Sequence, residues 1–102
     1  MKISVIVPYY NRENTIQRCL KSIGASDDVE IIVVDDFSLV PYSSKGYGEK
    51  ILRCEFNQGP VSARIQGSNI ASHEWVIFLD SDDELLPDWR GKIGRASCRE
   101  RV

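Results

Sequence analysis

Asp80 and Asp82 are two carboxylates one residue apart, inside the run Asp80-Ser81-Asp82-Asp83. In an extended segment that spacing puts both side chains on one side of the chain. Two carboxylates held together repel unless a cation lies between them. A hard divalent ion resolves this: Mg2+ or Mn2+ takes one or two protein carboxylates and completes its shell with water and phosphate oxygens. An ion so placed would neutralise a diphosphate and stabilise it as a leaving group. The same four residues also suit an acidic turn that caps a following helix. Spacing alone leaves both readings open.

Two more polar clusters, Pro8-Tyr9-Tyr10-Asn11 and Asp35-Asp36-Phe37-Ser38, share one property with the first. Each follows directly on a short apolar run that reads as a buried strand: residues 3–7, ended by Pro8; residues 31–34, stopping at Asp35-Asp36; and residues 75–79. A further strand is predicted over 51–56. Ile16, Cys19, Leu20 and Ile23 fall at i, i+3, i+4 and i+7, the stripe of an amphipathic helix. Asn11 or Asn14 is expected to cap its start and Gly24 to end it. A second helix opens at Pro60, after the turn Asn57-Gln58-Gly59, and runs to about Ala71. Ala63, Gly67, Ile70 and Ala71 are expected on one side of it. Residues 37–50 show no period and read as loop with room for a short helix.

This alternation predicts an α/β domain, three-layered and Rossmann-like, with a mainly parallel sheet and right-handed crossovers. Ligands of open parallel sheets bind outside the carboxyl ends of the strands. The topology therefore gathers two aromatics and several carboxylates at one edge.

Composition narrows the setting. At 102 residues the chain suits one small domain, and 42% hydrophobic with 27% charged residues is ordinary for a globular protein. No apolar run approaches the roughly 20 residues of a membrane span, and the N-terminus lacks the pattern of a signal peptide. The expected location is the cytoplasm, or the cytoplasmic face of a membrane should an anchor lie in a further segment. Residues 1–89 hold 8 Lys and Arg against 14 Asp and Glu, so nucleic acid is not an expected partner. Cys19, Cys54 and Cys98 have neither zinc nor redox spacing; the first two are expected as buried reduced thiols. His73 reads as an ordinary surface residue.

Four blocks now carry a resemblance. Residues 4–12, SVIVPYYNR, resemble the opening strand of family 2 glycosyltransferases with the GT-A fold. Residues 30–38, EIIVVDDFS, resemble their second strand and its acidic end. Residues 57–64, NQGPVSAR, are similar to their asparagine-glycine turn and Ala-Arg helix, and residues 74–83, EWVIFLDSDD, to the strand leading into their D-x-D motif. The blocks keep the family's order and cover nearly all of residues 1–89.

The resemblance implies roles position by position. Pro8 and Tyr10 would line a base pocket, Tyr10 against the ring face, and Asp36 would accept a hydrogen bond from a uracil-like base. Arg64 would lie near the nucleotide, where a fixed cation suits base edge or phosphate. Asp82 would be the main ligand of Mg2+ or Mn2+, with Asp80 and Ser81 touching ribose or metal. Phe37 departs from the pattern, since the family usually has Gly there, and the loop after Ser38 lacks the usual Thr-Asp-Gly run.

The resemblance also implies a function: an inverting transferase moving a sugar from a nucleoside diphosphate donor, UDP-sugar favoured, to a saccharide or lipid acceptor, as in cell-envelope polysaccharide synthesis. Family members are much longer, and their acceptor side and general base follow the D-x-D block. The base is thus expected beyond the chain end, and this chain alone is expected to be inactive. Two other readings compete: a nucleotide-binding module without turnover, and a sugar-nucleotide nucleotidyltransferase. The latter calls for a Gly-rich loop after the first strand, where Pro8-Tyr9-Tyr10-Asn11-Arg12 stands instead.

Residues 1–89 are expected to be the nucleotide-sugar-binding half, and residues 90–102 a non-native or disordered tail. That tail changes composition sharply, with five basic residues against one acidic. A basic arm for membrane or nucleic acid is the competing reading.

Overall fold

The computed structural model describes residues 2–24 and 26–91. Six elements follow in order: β1 (Ile3–Tyr9), α1 (Glu13–Ile23), β2 (Val29–Asp35), β3 (Lys50–Arg53), α2 (Pro60–Ile70) and β4 (Trp75–Phe78). All strand pairings are parallel, in the order β3-β2-β1-β4. The strand alternation of β1 explains the layers. Ile3, Val5, Val7 and Tyr9 pack with Ile16, Cys19, Leu20 and Ile23 of α1, whereas Ile6 packs with Ile32, Val34 and Ala63 of α2. One helix thus covers each face, as the three-layer parallel expectation requires. Trp89 also joins the α1 side, its indole N–H donating to the carbonyl of Ile23 at 3.2 Å.

Several local expectations are corrected. Pro8 does not end the first strand: it pairs in register with Val34, past Ile6, where the pairing with β4 stops. Neither Asn11 nor Asn14 caps α1. The N-cap is Arg12, without a side-chain cap bond, because Asn11 is in a left-handed conformation (φ 52°) and its side chain accepts the backbone N–H of Leu39 at 2.9 Å. Gly24 ends α1 at φ 81°, as expected. The third strand covers only Lys50–Arg53 and is mostly exposed, as an edge strand. The segment between β2 and β3 holds neither helix nor strand. Ile70 is exposed rather than facing the sheet. The reason is close approach: a Cβ on Gly67 would sit 2.4 Å from Cγ2 of Ile6 and 2.9 Å from Cγ2 of Val34, so the small residues Ala63 and Gly67 make the contact.

Among the described residues, no helix is long and apolar enough to cross a membrane. Cys19 and Cys54 are free and buried, as expected. Burial, with help from the carboxylates of residues 80 and 82–84, pushes the Cys19 thiol up to about 12, so it is inert as a nucleophile. Arg90 and Gly91 are described, and Arg90 pairs with Asp28; the rest of the expected tail lies outside the described residues.

Candidate functional site

The carboxyl ends of β1, β2 and β4 open into one cleft of about 470 Å3, roofed at one side by the start of α2. Pro8, Tyr10, Asp36, Arg64, Asp80, Ser81 and Asp82 all line it. Seven positions drawn from four separated stretches of sequence thus converge on one concavity. The parallel topology does this, since every strand delivers its carboxyl end to the same edge.

Each wall has a physical cause. β1 presents Tyr10 half-exposed at the rim, an open aromatic face, while Tyr9 is buried against Tyr42 with ring centroids 5.0 Å apart. β2 ends in two buried aspartates with different tasks. Asp35 accepts the backbone N–H groups of Ser38 at 2.9 Å and Tyr42 at 2.8 Å, and the guanidinium of Arg53 at 2.8 Å. Burial pushes its pKa up, but these bonds outweigh it and hold the carboxyl below its ordinary value. Asp35 therefore fixes the path of the following loop. Glu49 closes the far end of that loop, accepting the Tyr42 hydroxyl and the backbone N–H of Lys45 and Tyr47.

Asp36 faces the cleft. Its two oxygens accept the backbone N–H of Gln58 and of Gly59, each at 2.8 Å, and its carbonyl accepts Asn57 Nδ2 at 3.3 Å. It thereby seats the turn that opens α2. An ionised carboxylate has about four acceptor sites, so acceptor capacity remains for a ligand. Gly59 stands at φ 91° in that turn, a conformation other residues rarely adopt. Phe37 takes φ 64°, also left-handed, at the position where the sequence resemblance called for Gly; the Arg53 guanidinium stacks 5.0 Å from its ring centroid.

The acidic turn differs from the extended pair expected from the i, i+2 spacing. The N–H of Asp83 bonds back to the carbonyl of Asp80 at 3.0 Å, so residues 80–83 form a tight turn. Tightening recruits a third group: carboxylate oxygens of Asp80, Asp82 and Asp83 lie within 4.8 Å of one another. This all-oxygen donor set fits a hard divalent ion. Cys19 supports the turn from α1, its Sγ–H donating to the carbonyl of Asp80 at 3.5 Å. Arg64, one turn into α2, donates from Nη2 to Asp80 Oδ1 at 3.0 Å.

Asp83 and Arg12 are site residues that the sequence reading did not single out. Asp83 was visible in the acidic run, but its contribution depends on the turn. Arg12 lines the cleft because the chain leaves β1 through the left-handed Asn11.

Comparison with known proteins identifies a family. The sequence profile described as "Glycosyl transferase family 2" matches residues 4–101. A GalNAc(5)-diNAcBac-PP-undecaprenol beta-1,3-glucosyltransferase of Campylobacter jejuni is 41% identical over 95 residues, covering 83% of this chain and 31% of that protein. A poly(ribitol-phosphate) beta-glucosyltransferase of Bacillus spizizenii is 37% identical over 97 residues, covering 83% and 15%. The crystal structure of Staphylococcus aureus TarS 1-349 in complex with UDP-GlcNAc superposes with a TM-score of 0.78 at 31% identity, covering 93% of this chain and 30% of that one. The chain spans a third or less of the length of each of these three proteins.

Proposed function

We propose, from the premise that this chain belongs to glycosyl transferase family 2, that it forms the donor-binding half of an enzyme transferring a sugar from a UDP-sugar to a saccharide or lipid-linked acceptor. The observation that carries this reading is the single cleft in which an exposed tyrosine, a cleft-facing aspartate, an arginine and an acidic turn converge. Tyr10 offers its ring to a flat base, and Asp36 offers acceptor oxygens to the edge of a base that carries an N–H. Arg64 supplies a fixed positive charge between the base side and the acidic turn. Asp82, with Asp80 and Asp83 beside it, would hold Mg2+ or Mn2+, which supplies charge neutralisation to a departing diphosphate. Ser81 is buried and lines the same cleft between the two carboxylates in sequence.

The UDP-GlcNAc complex of the S. aureus neighbour supports a uracil donor. The names of the C. jejuni and B. spizizenii relatives support lipid-linked or polymeric acceptors, hence cell-envelope polysaccharide. We assign inversion at the sugar carbon, with an acceptor hydroxyl displacing the diphosphate in one step, to the assembled enzyme. We assign the base that deprotonates that hydroxyl to the part of such enzymes beyond the span matched here, and the work to the cytoplasm or the cytoplasmic face of a membrane.

Calorimetry with UDP, CDP, GDP and ADP in Mn2+ tests the donor assignment. UDP is expected to bind most tightly. Equal affinity for all four nucleotides would remove the base-specific role given to Asp36.

A further inference from the structure

Three carboxylates of the acidic turn lie within 4.8 Å of one another, and the guanidinium of Arg64 already neutralises one of them, Asp80. Like charges that close repel. The ion pair therefore does, in the site free of ligand, part of what a divalent ion would do. Arg64 is incompletely bonded in this position. Its Nε–H is buried and has no partner among the described residues. Its guanidinium carbon lies 6.0 Å from the ring centroid of Phe78. The side chains of Arg64 and Asp80 are both partly open to the cleft. A guanidinium carries five N–H donors in a planar fork that matches phosphate as well as carboxylate. A cation with unused donors, beside a cleft and on a rigid helix, is placed to exchange one anion for another.

We propose that Arg64 is an exchangeable internal counter-ion of the acidic turn: it holds Asp80 while the site is free, and yields that carboxylate to the divalent ion when a nucleoside diphosphate supplies a replacement anion. The inference rests on the donor and metal reading above and adds the coupling between the two ligands. An ion that takes Asp80 without nucleotide leaves the guanidinium without its counter-charge. A diphosphate that takes Arg64 without the ion leaves three neighbouring carboxylates uncompensated. With both ligands present every charge has a partner. Each ligand thus removes a cost the other faces, and such coupling is reciprocal.

The test is Mn2+ affinity in the absence of nucleotide, read by calorimetry or water-proton relaxation. The proteins are the wild-type chain, Arg64→Gln, Asp80→Asn and the double variant, each checked for fold by circular dichroism. Arg64→Gln removes the competing charge and is expected to bind Mn2+ about 2- to 5-fold tighter, the range that a partly exposed ion pair holds back. In the Asp80→Asn background the same change should bring little gain, since the competition runs through that carboxylate. Unchanged or weaker Mn2+ binding in Arg64→Gln overturns the proposal. So does an equal gain in both backgrounds, which would mean a general field effect. Should Arg64→Gln fail to fold, Arg64→Lys keeps the charge without the planar fork and should give a smaller gain in the same direction. No Mn2+ binding by any of the four folded proteins overturns this proposal, while the dependence of UDP affinity on Mn2+ reports the metal role separately.

Discussion

Asp36 at the end of the second strand accepts the backbone N–H of Gly59 at the entrance of the second helix, at 2.8 Å, and a second bond of equal length ties it to Gln58. One side chain thus joins two walls of the cleft before any ligand arrives. Asp36→Ala is expected to lower stability by about 2 kcal/mol or more, because two amides lose a charged acceptor in a largely enclosed site. It should also weaken UDP binding. Thermal melts of the free chain check the first effect and calorimetry the second. An unchanged melting temperature would show that the turn seats itself without Asp36.

Asp82→Ala should abolish the Mn2+-dependent part of UDP binding with the fold retained, and Asp80→Ala should weaken it less. The difference follows from Asp80 already having a cationic partner in Arg64. Titrations with and without chelator measure it. UDP affinity that is indifferent to chelator would refute a metal role.

Gly67 lies mid-helix, where alanine ordinarily stabilises by about 1 kcal/mol. Here the added methyl would meet Ile6 and Val34, β-branched residues with little rotamer freedom. Overpacking of this kind costs about 1–3 kcal/mol. Gly67→Ala should therefore lower the urea midpoint, and a raised midpoint would mean that the helix is free to shift outward.

Glu30 lies in the second strand opposite Ser4, accepting Ser4 Oγ at 2.6 Å, the N–H of Ser72 at 2.8 Å and the ammonium of Lys50. Burial pushes its pKa up, but the bonds from Lys50, Ser4 and Ser72 outweigh it and bring it from 4.5 to about 2. A depressed carboxylate stabilises the fold above its unfolded value and loses that contribution as pH falls through the folded one. The stability gap between wild type and Glu30→Gln should thus be full above pH 4.5 and close as the pH approaches 2. Urea midpoints across that range decide it; a gap independent of pH would exclude the linkage.

The 102-residue chain on its own is expected to transfer no sugar. A positioned general base supplies about 10^2 to 10^4-fold in rate, and acceptor orientation adds several kcal/mol. Both are assigned above to the span outside the match. Product analysis with UDP-sugars and simple acceptors tests this. Turnover by the purified chain would point to Asp83 or Glu84 as the base.

The layer plan and the edge that carries the chemistry follow from the residue pattern alone. Continuous apolar runs such as Ile31 to Val34 have no polar face to give to water, so they demand cover on both sides. The stripe of Ile16, Cys19, Leu20 and Ile23 supplies that cover on one side, and a small-residue helix supplies it on the other. Polar clusters at the ends of parallel strands must then share an edge, which is why six of the seven expected site positions line one cleft; the seventh, Arg64, reaches it from the second helix. Tertiary structure decided what local spacing could not. Asn11 has the chemistry of a cap, yet a loop 28 residues away claims its side-chain oxygen through the N–H of Leu39. Ile70 fits the helical stripe, but contact at Gly67 rotates it to solvent. Asp80 and Asp82 read as a facing pair in extended chain, whereas a turn closed by the N–H of Asp83 brings in a third carboxylate and leaves Asp80 to Arg64. In each case a neighbour distant in sequence decides: Leu39 for Asn11, Ile6 and Val34 for the helix face that carries Gly67, and Arg64 for Asp80.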